Sequence, residues 1–410
     1  MTSLEIMILG SGTSSQVPVI SCLISKDKAC TCCLSTRSPT GSKNIRRNTS
    51  AILRITNPSN QSTQNDQNPM TTPKTILIDV GKSFCEAARQ HFPINELSTI
   101  DAVLLTHPHA DAINGLDDLR AWTLDAVIQP SIPIYCDKFT FSEVERMFPY
   151  MVNSANATGG GDVPAFQWNI IEDGQPFDLF GVRISPLKVN HGCYFGPTGA
   201  VEGPYGCLAF LFDRSICYMS DVSSIPESTY AALGVLPPTS STSSPAPIHL
   251  SPNMAIEGSD TDSDITRSTS PVSTAATSLD SEPIPMGVPP LPILIIDTLR
   301  LKPHTSHFGL AEAVSTASRL GAQRTYLLGF THGVTHECWE KACEAIGEGR
   351  IANEKTNEEH TKEIELGNHP EEFTQEALRI VGAMNPIWVR PAFDGLWVRT
   401  DGKTSSDDFY

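Results

Sequence analysis

The segment Leu104-Leu105-Thr106-His107-Pro108-His109-Ala110-Asp111 sets two imidazoles and a carboxylate at alternate positions, directly after the apolar run 102–105. Alternate side chains of an extended backbone share one face, so all three would point the same way. Neutral imidazole nitrogen and carboxylate oxygen suit zinc and related first-row ions. A lone histidine would read as an ordinary surface or core residue. Three donors in five residues at a strand end read as a metal site.

Outward from this segment the pattern repeats. Val189-Asn190-His191 ends the apolar run 182–189, and Tyr218-Met219-Ser220-Asp221 ends the run 216–219. His304-Thr305-Ser306-His307-Phe308 follows a run closing at Asp297, and Phe330-Thr331-His332-Gly333-Val334-Thr335-His336 follows the run 325–328. Each alone is weak. Their shared place after an apolar run argues that they meet at one edge of a sheet. Further strands are expected at 4–9, 51–55, 75–80, 132–135, 208–212 and 293–296, and helices at 83–91, 115–127, 140–147, 310–319 and 336–346. Many strands with few helices suggest sheet layers flanked by helices rather than a simple parallel alternation.

The 410 residues suffice for a sizeable core, and one domain over 1–410 is expected. Three stretches look like insertions: a polar loop at 56–74, a Ser/Thr/Pro-rich and disordered stretch at 237–290 without Trp, Phe or Tyr, and an acidic loop at 350–372. The net charge of −17 disfavours nucleic acid as a partner. Without an 18-residue apolar run or a basic leader, no membrane span is expected. The expected compartment is the cytoplasm, with the nucleus as the alternative. Eleven cysteines are too sparse for a disulfide scaffold, so clustered thiols read as metal ligands.

His107-x-His109-x-Asp111, then His191, Asp221 and His332 in that order, resemble the metallo-β-lactamase superfamily. The likeness is nearest to its phosphonate-pathway cyclic phosphodiesterase branch, close to the tRNA 3′-endonuclease branch. Leu9-Gly10-Ser11-Gly12-Thr13, Arg46-Arg47-Asn48-Thr49-Ser50, His304-Thr305-Ser306-His307-Phe308 and Pro391-Ala392-Phe393-Asp394-Gly395 resemble signatures of that branch. The resemblance implies an α/β fold, specifically a four-layer αββα sandwich. It implies one or two Zn²⁺ or Mn²⁺ ions, the first held by His107, His109 and His191, the second by Asp111 and His332, with Asp221 between them. Asp79 would orient a ligand from behind. Asp111, His304 and His307 would act in catalysis, one of the last two as proton donor or phosphate contact. Cys30, Cys32 and Cys33 with His336 would hold a structural zinc, near Cys22. Arg46 and Arg47 would face an anionic substrate.

The family motif carries a second histidine after Asp111, where this chain has Ala112. A methyl group cannot coordinate, so one ion per site is as open as two. The expected activity is hydrolysis of small or cyclic phosphodiesters by water that the ion acidifies to a pKa of roughly 7. Alternatives are RNA 3′-processing, thioester or lactone hydrolysis, and a metal-binding scaffold without activity. The expected partner is a small phosphorylated substrate, with a homodimer possible.

Overall fold

A computed structural model of the chain describes residues 3–25, 30–56, 72–159, 162–235, 290–353, 367 and 369–410. Of the three stretches expected as insertions, 237–290 and 56–74 lie mostly outside these residues, and 350–372 is described only at its two ends and at 367.

Two mixed sheets face each other. The first holds β1 (Ser3–Gly10), β2 (Ser50–Thr56), β3 (Lys74–Ile78), β4 (Ala102–Leu104), β5 (Ile132–Cys136) and β6 (Phe166–Ile170). The second holds β7 (Phe177–Leu179), β8 (Val182–Phe195), β9 (Val201–Phe212), β10 (Ile216–Met219), β11 (Ile293–Asp297), β12 (Arg324–Leu328) and β13 (Val389–Pro391). The chain then returns to the first sheet with β14 (Trp397–Thr400) and β15 (Ser405–Asp407), giving the orders β15-β14-β1-β2-β3-β4-β5-β6 and β13-β12-β11-β10-β9-β8-β7. Strands β3 to β6 run parallel, as do β10 to β13, so their carboxyl ends gather at one edge.

Period-two alternation divides each central strand between two cores. Leu4, Ile6 and Ile8 of β1 join Ile76, Ile78, Phe210, Tyr218 and Ile295 between the sheets. Met7 and Leu9 of the same strand join Phe84, Phe92 and Ile113 under the helices of the first sheet. Cys217 and Met219 of β10 join Leu310, Val314, Trp339 and Phe373 under the helices of the second. Burial on both faces explains why these strands read as unbroken apolar runs. Helix, sheet, sheet, helix is the αββα sandwich.

Four local expectations need correction. The helix expected over 115–127 is three short pieces, Leu116–Leu119, Arg120–Thr123 and Leu124–Ala126, because Asp125 and Ala126 take positive φ and turn the chain. The strand expected to end at 189 continues to Phe195, so His191 lies inside β8, where a bulge shifts the register between Asn190 and Cys193. The strand expected to begin at 208 begins at Val201. The acidic stretch 350–372 does not remain loop at its end: Pro370, Glu371 and Glu372 form the first turn of a helix, Pro370–Val381. Proline and carboxylates suit that position, since the first turn has spare N–H groups and a positive dipole end.

Candidate metal centre

The centre forms where the parallel strands end. His107 follows β4, His191 sits at the β8 bulge, Asp221 follows β10, and Asp297 closes β11. Asp79, after β3, and Asp221 both hold positive φ, 58° and 49°. That conformation is costly for a residue with a Cβ and survives where surroundings impose it, typically at a functional site. Gly81 is required beside them, since a Cβ there would meet the Asp111 carbonyl oxygen at 1.8 Å.

Hydrogen bonds fix the histidine tautomers. Asp79 accepts from the Thr106 N–H and the Thr106 hydroxyl, each at 2.8 Å. With its proton committed to Asp79, that hydroxyl can only accept from His107 Nδ1–H, also at 2.8 Å. His107 Nε2 is then a lone pair, buried and without a partner. The Ser306 carbonyl accepts from His191 Nδ1–H at 2.8 Å, so the other ring nitrogen, Nε2, is the one free to coordinate, 3.2 Å from His109 Nδ1. Ring nitrogens of His107, His109 and His191 lie within 4.8 Å of one another. Burial lowers His107 to about 3 and His109 to about 4, so both rings stay neutral. Three imidazoles this close, two of them buried and the third half-buried, fit a divalent cation.

A second group adjoins it. His191, Asp221 and His307 also bring donor atoms within 4.8 Å. Burial opposes protonation of His307, but the carboxylates of Asp297, at 2.8 Å from Nδ1, and Asp221, at 4.0 Å, outweigh it and raise the ring to about 9. Burial likewise opposes ionisation of Asp221, and the surrounding imidazoles, of which His307 carries the charge, outweigh it, drawing the carboxyl down to about 2. Gly329, at φ 84°, lets the chain pass Asp297, because a Cβ there would meet Oδ1 at 2.3 Å. His304 is exposed, and its Nδ1 meets Ser306 Oγ at 3.0 Å and accepts from the Ser306 N–H at 3.4 Å.

Several expected residues stand elsewhere. Asp111 falls outside both clusters because a helix starts at Ala110, so the alternation that would align it with His107 and His109 ends there. Its carboxyl is raised by burial and by Asp221. Ala112 is 2% exposed and packs into the core under the helices, where a coordinating side chain would displace apolar neighbours. His332, expected beside Asp111 and Asp221, instead places Nδ1 at 3.4 Å from both Cys22 Sγ and Cys30 Sγ. It forms a four-donor cluster with Cys22, Cys30 and Cys33. A Cys₃His set this close suits a structural zinc. The Cys30 thiol is drawn down to about 4 by its bond with Cys33, against burial, and by His332. Cys32 and His336 are outside that cluster. Cys32 is buried, and His336 Nε2 meets the Tyr410 hydroxyl at 3.0 Å.

Arg46 and Arg47 do not form a substrate wall. Arg46 is 1% exposed and donates to the Thr331 and Val334 carbonyls, clamping the loop that carries His332. Arg47 is buried against Asp394 at 3.2 Å, Glu86 and Gln90. The sequence reading missed Thr106 and the ring of Tyr205, which stacks on His109 at 4.7 Å. Asp297 was signalled by a carboxylate closing an apolar run. Thr106 had no signal beyond adjacency to His107.

Residues 74–260 match the beta-lactamase superfamily domain. A diphosphatase of the PhnP family superposes over 98% of both chains with a TM-score of 0.55 and 21% identity, which establishes the metallo-β-lactamase fold. The metallo-β-lactamase fold protein YhfI of Bacillus subtilis covers 98% of this chain and 100% of its own, with a TM-score of 0.48 and 12% identity. An octanoyltransferase of Porphyromonas gingivalis is 27% identical over 188 residues, 45% of this chain. The match spans only 30% of that protein's length. Among the described residues, no helix is long and apolar enough to cross a membrane.

Proposed function

From the metallo-β-lactamase fold of this chain, we propose a metal-dependent hydrolase that cleaves phosphodiester or diphosphate bonds in small substrates. The observation that carries this reading is the His107 Nε2 lone pair, buried without a partner and facing the nitrogens of His109 and His191. His107, His109 and His191 would hold the ion, with Asp221 alongside. When bound, a divalent ion acidifies water and offsets charge on phosphoryl oxygens.

The chain's own groups do the rest. Asp79 and Thr106 hold the His107 ring in one tautomer, so its lone pair is ready without rearrangement. The Ser306 carbonyl does the same for His191. Asp297 fixes His307 through Nδ1, and His307 carries a proton at neutral pH. Its other nitrogen, Nε2, supplies that proton to a departing oxygen, the role of a general acid. His307 serves rather than His304, because His304 is exposed and has no carboxylate partner among the described residues. A diphosphatase among the similar folds favours a phosphorus centre over an acyl carbon.

The test is turnover of bis-p-nitrophenyl phosphate and of small diphosphate esters with Zn²⁺ or Mn²⁺, against His109→Ala. Turnover that the variant abolishes supports the reading. Wild-type rates equal to the variant's would refute it.

A further inference from the structure

Aromatic rings lead outward from the histidines. Tyr205, on β9, stacks on the His109 imidazole with centroids 4.7 Å apart and planes within 13°. Tyr194, on β8, leans on Tyr205 at 5.1 Å. Phe139, in the helix Lys138–Met147, meets Tyr205 edge-on at 5.9 Å and Tyr194 at 6.4 Å. Tyr205 is half-buried, whereas Tyr194 and Phe139 are 41% and 40% exposed and Phe195 is 62% exposed. Rings therefore run without a break from the centre to the surface, and they open as they go. They come from two separate elements, the β8–β9 hairpin and a helix of the other layer. The hairpin reaches this position because its register shifts twice, between Asn190 and Cys193 and between Tyr194 and Phe195. Bulges of this kind re-aim side chains beside active sites.

The charge around the rings selects what could lie on them. Asp137 and Glu143 stand close enough to Tyr194 and Tyr205 to act on their hydroxyls. Glu143 is paired with Arg146, and Asp137 caps its own helix through Thr140 N–H at 2.7 Å. Arg146 offsets the charge of Glu143, so it is chiefly Asp137 that disfavours a second phosphate and welcomes N–H donors. A phosphorylated substrate thus has one orientation that suits both ends: phosphoryl group at the imidazoles, flat uncharged ring with N–H edges over the aromatics. Sugar alone offers no π-face to stack.

Resting on the hydrolase reading above, we propose that the Tyr205, Tyr194 and Phe139 rings bind a nucleobase, so that the substrates of this centre are nucleotides cleaved at their phosphoryl bond. Stacking is tolerant of base identity, since every base has a π-face. The wall therefore selects bases as a class.

Two matched substrates read this out: the methyl ester of adenosine 5′-phosphate and the methyl ester of ribose 5-phosphate, which lacks the base. The wild type should favour the adenosine ester by about tenfold or more in kcat/KM. In Phe139→Ala and Tyr194→Ala, both changes at exposed positions, that ratio should fall toward one, chiefly through KM. A wild-type ratio near one, or a ratio that both variants retain, overturns the proposal. Equilibrium dialysis of adenosine 5′-phosphate against the protein as purified reads the wall without turnover of a diester. A loss of about fivefold or more in affinity in the variants supports it, and unchanged affinity overturns it. If neither ester is hydrolysed while nucleotide binding still depends on the rings, the hydrolase reading fails and the base site stands. Dimerisation abolished by Phe195→Ala, with nucleotide affinity unchanged in the other two variants, assigns the rings to a contact between copies and overturns the proposal.

Discussion

The imidazole cluster and the sulfur cluster are built by opposite means. His107 and Asp221 follow β4 and β10, whose residues are buried on both faces, and His191 sits within the long, partly exposed β8. Their rings are set from behind by Asp79, Thr106 and the Ser306 carbonyl. Cys22, Cys30 and Cys33 instead lie on or beside two five-residue helices, Ile20–Ile24 and Thr31–Ser35, and His332 on a loop that Arg46 clamps. Helices this short are not stable by themselves. The first cluster is preorganised by the sheet, and the second holds its own segments in place. Loss of the first should cost chemistry, and loss of the second should cost stability.

The largest expected effect breaks the first cluster directly. Because loss of a ligand's hydrogen-bond support alone costs about 10–100-fold, His109→Ala should lose more than about a hundredfold in phosphodiesterase rate. Its thermal midpoint should stay within a few degrees of the wild type. A fall in stability as large as the fall in rate would erase the distinction between the clusters. Next, Asp79→Asn keeps the shape but weakens the acceptor for Thr106, so metal affinity should fall by about 10–100-fold in a titration followed by elemental analysis. Affinity equal to wild type would show that the carboxylate does not orient His107.

Cys30→Ser tests the second cluster. It should lose one zinc per chain and lower the thermal midpoint by several degrees, since a structural metal contributes to folding. An unchanged midpoint would mean the thiols need no ion to hold their helices.

His91 gives a control away from both clusters. It is 3% exposed, lies outside both clusters, and burial with the nearby Arg47 lowers it to about 4. The folded ring resists a proton that the unfolded chain accepts near 6.5. Its contribution is therefore intact above about pH 6.5 and lost as pH falls toward 4, by up to roughly 3 kcal/mol. Denaturant unfolding of wild type and His91→Gln across that window should show the pH slope reduced in the variant. Equal slopes would assign the acid sensitivity to the cluster histidines.

The sequence by itself indicated the ten central strands and the donors that follow them, whereas β6, β7, β13, β14 and β15 carried no readable apolar run. Apolar runs buried on both faces leave little choice but central strands, and donors directly after them must gather at the strand ends. His107, His109, His191 and Asp221 were legible for that reason, and Asp79 only through the family resemblance. Only the tertiary structure decided the partition of the remaining donors. His332 and His336 lie four residues apart after the same strand, and nothing local says which turns toward sulfur, which toward Tyr410, or that neither reaches Asp111. Arg46 and Arg47 looked like anion contacts because charge is read locally, while their burial against carbonyls and Asp394 depends on residues nearly 300 or more positions away. Spacing along the chain limits which side chains share a face over a few residues. Beyond a turn or a bulge, packing between distant elements sets the direction of each side chain, and that cannot be read from the order of residues alone.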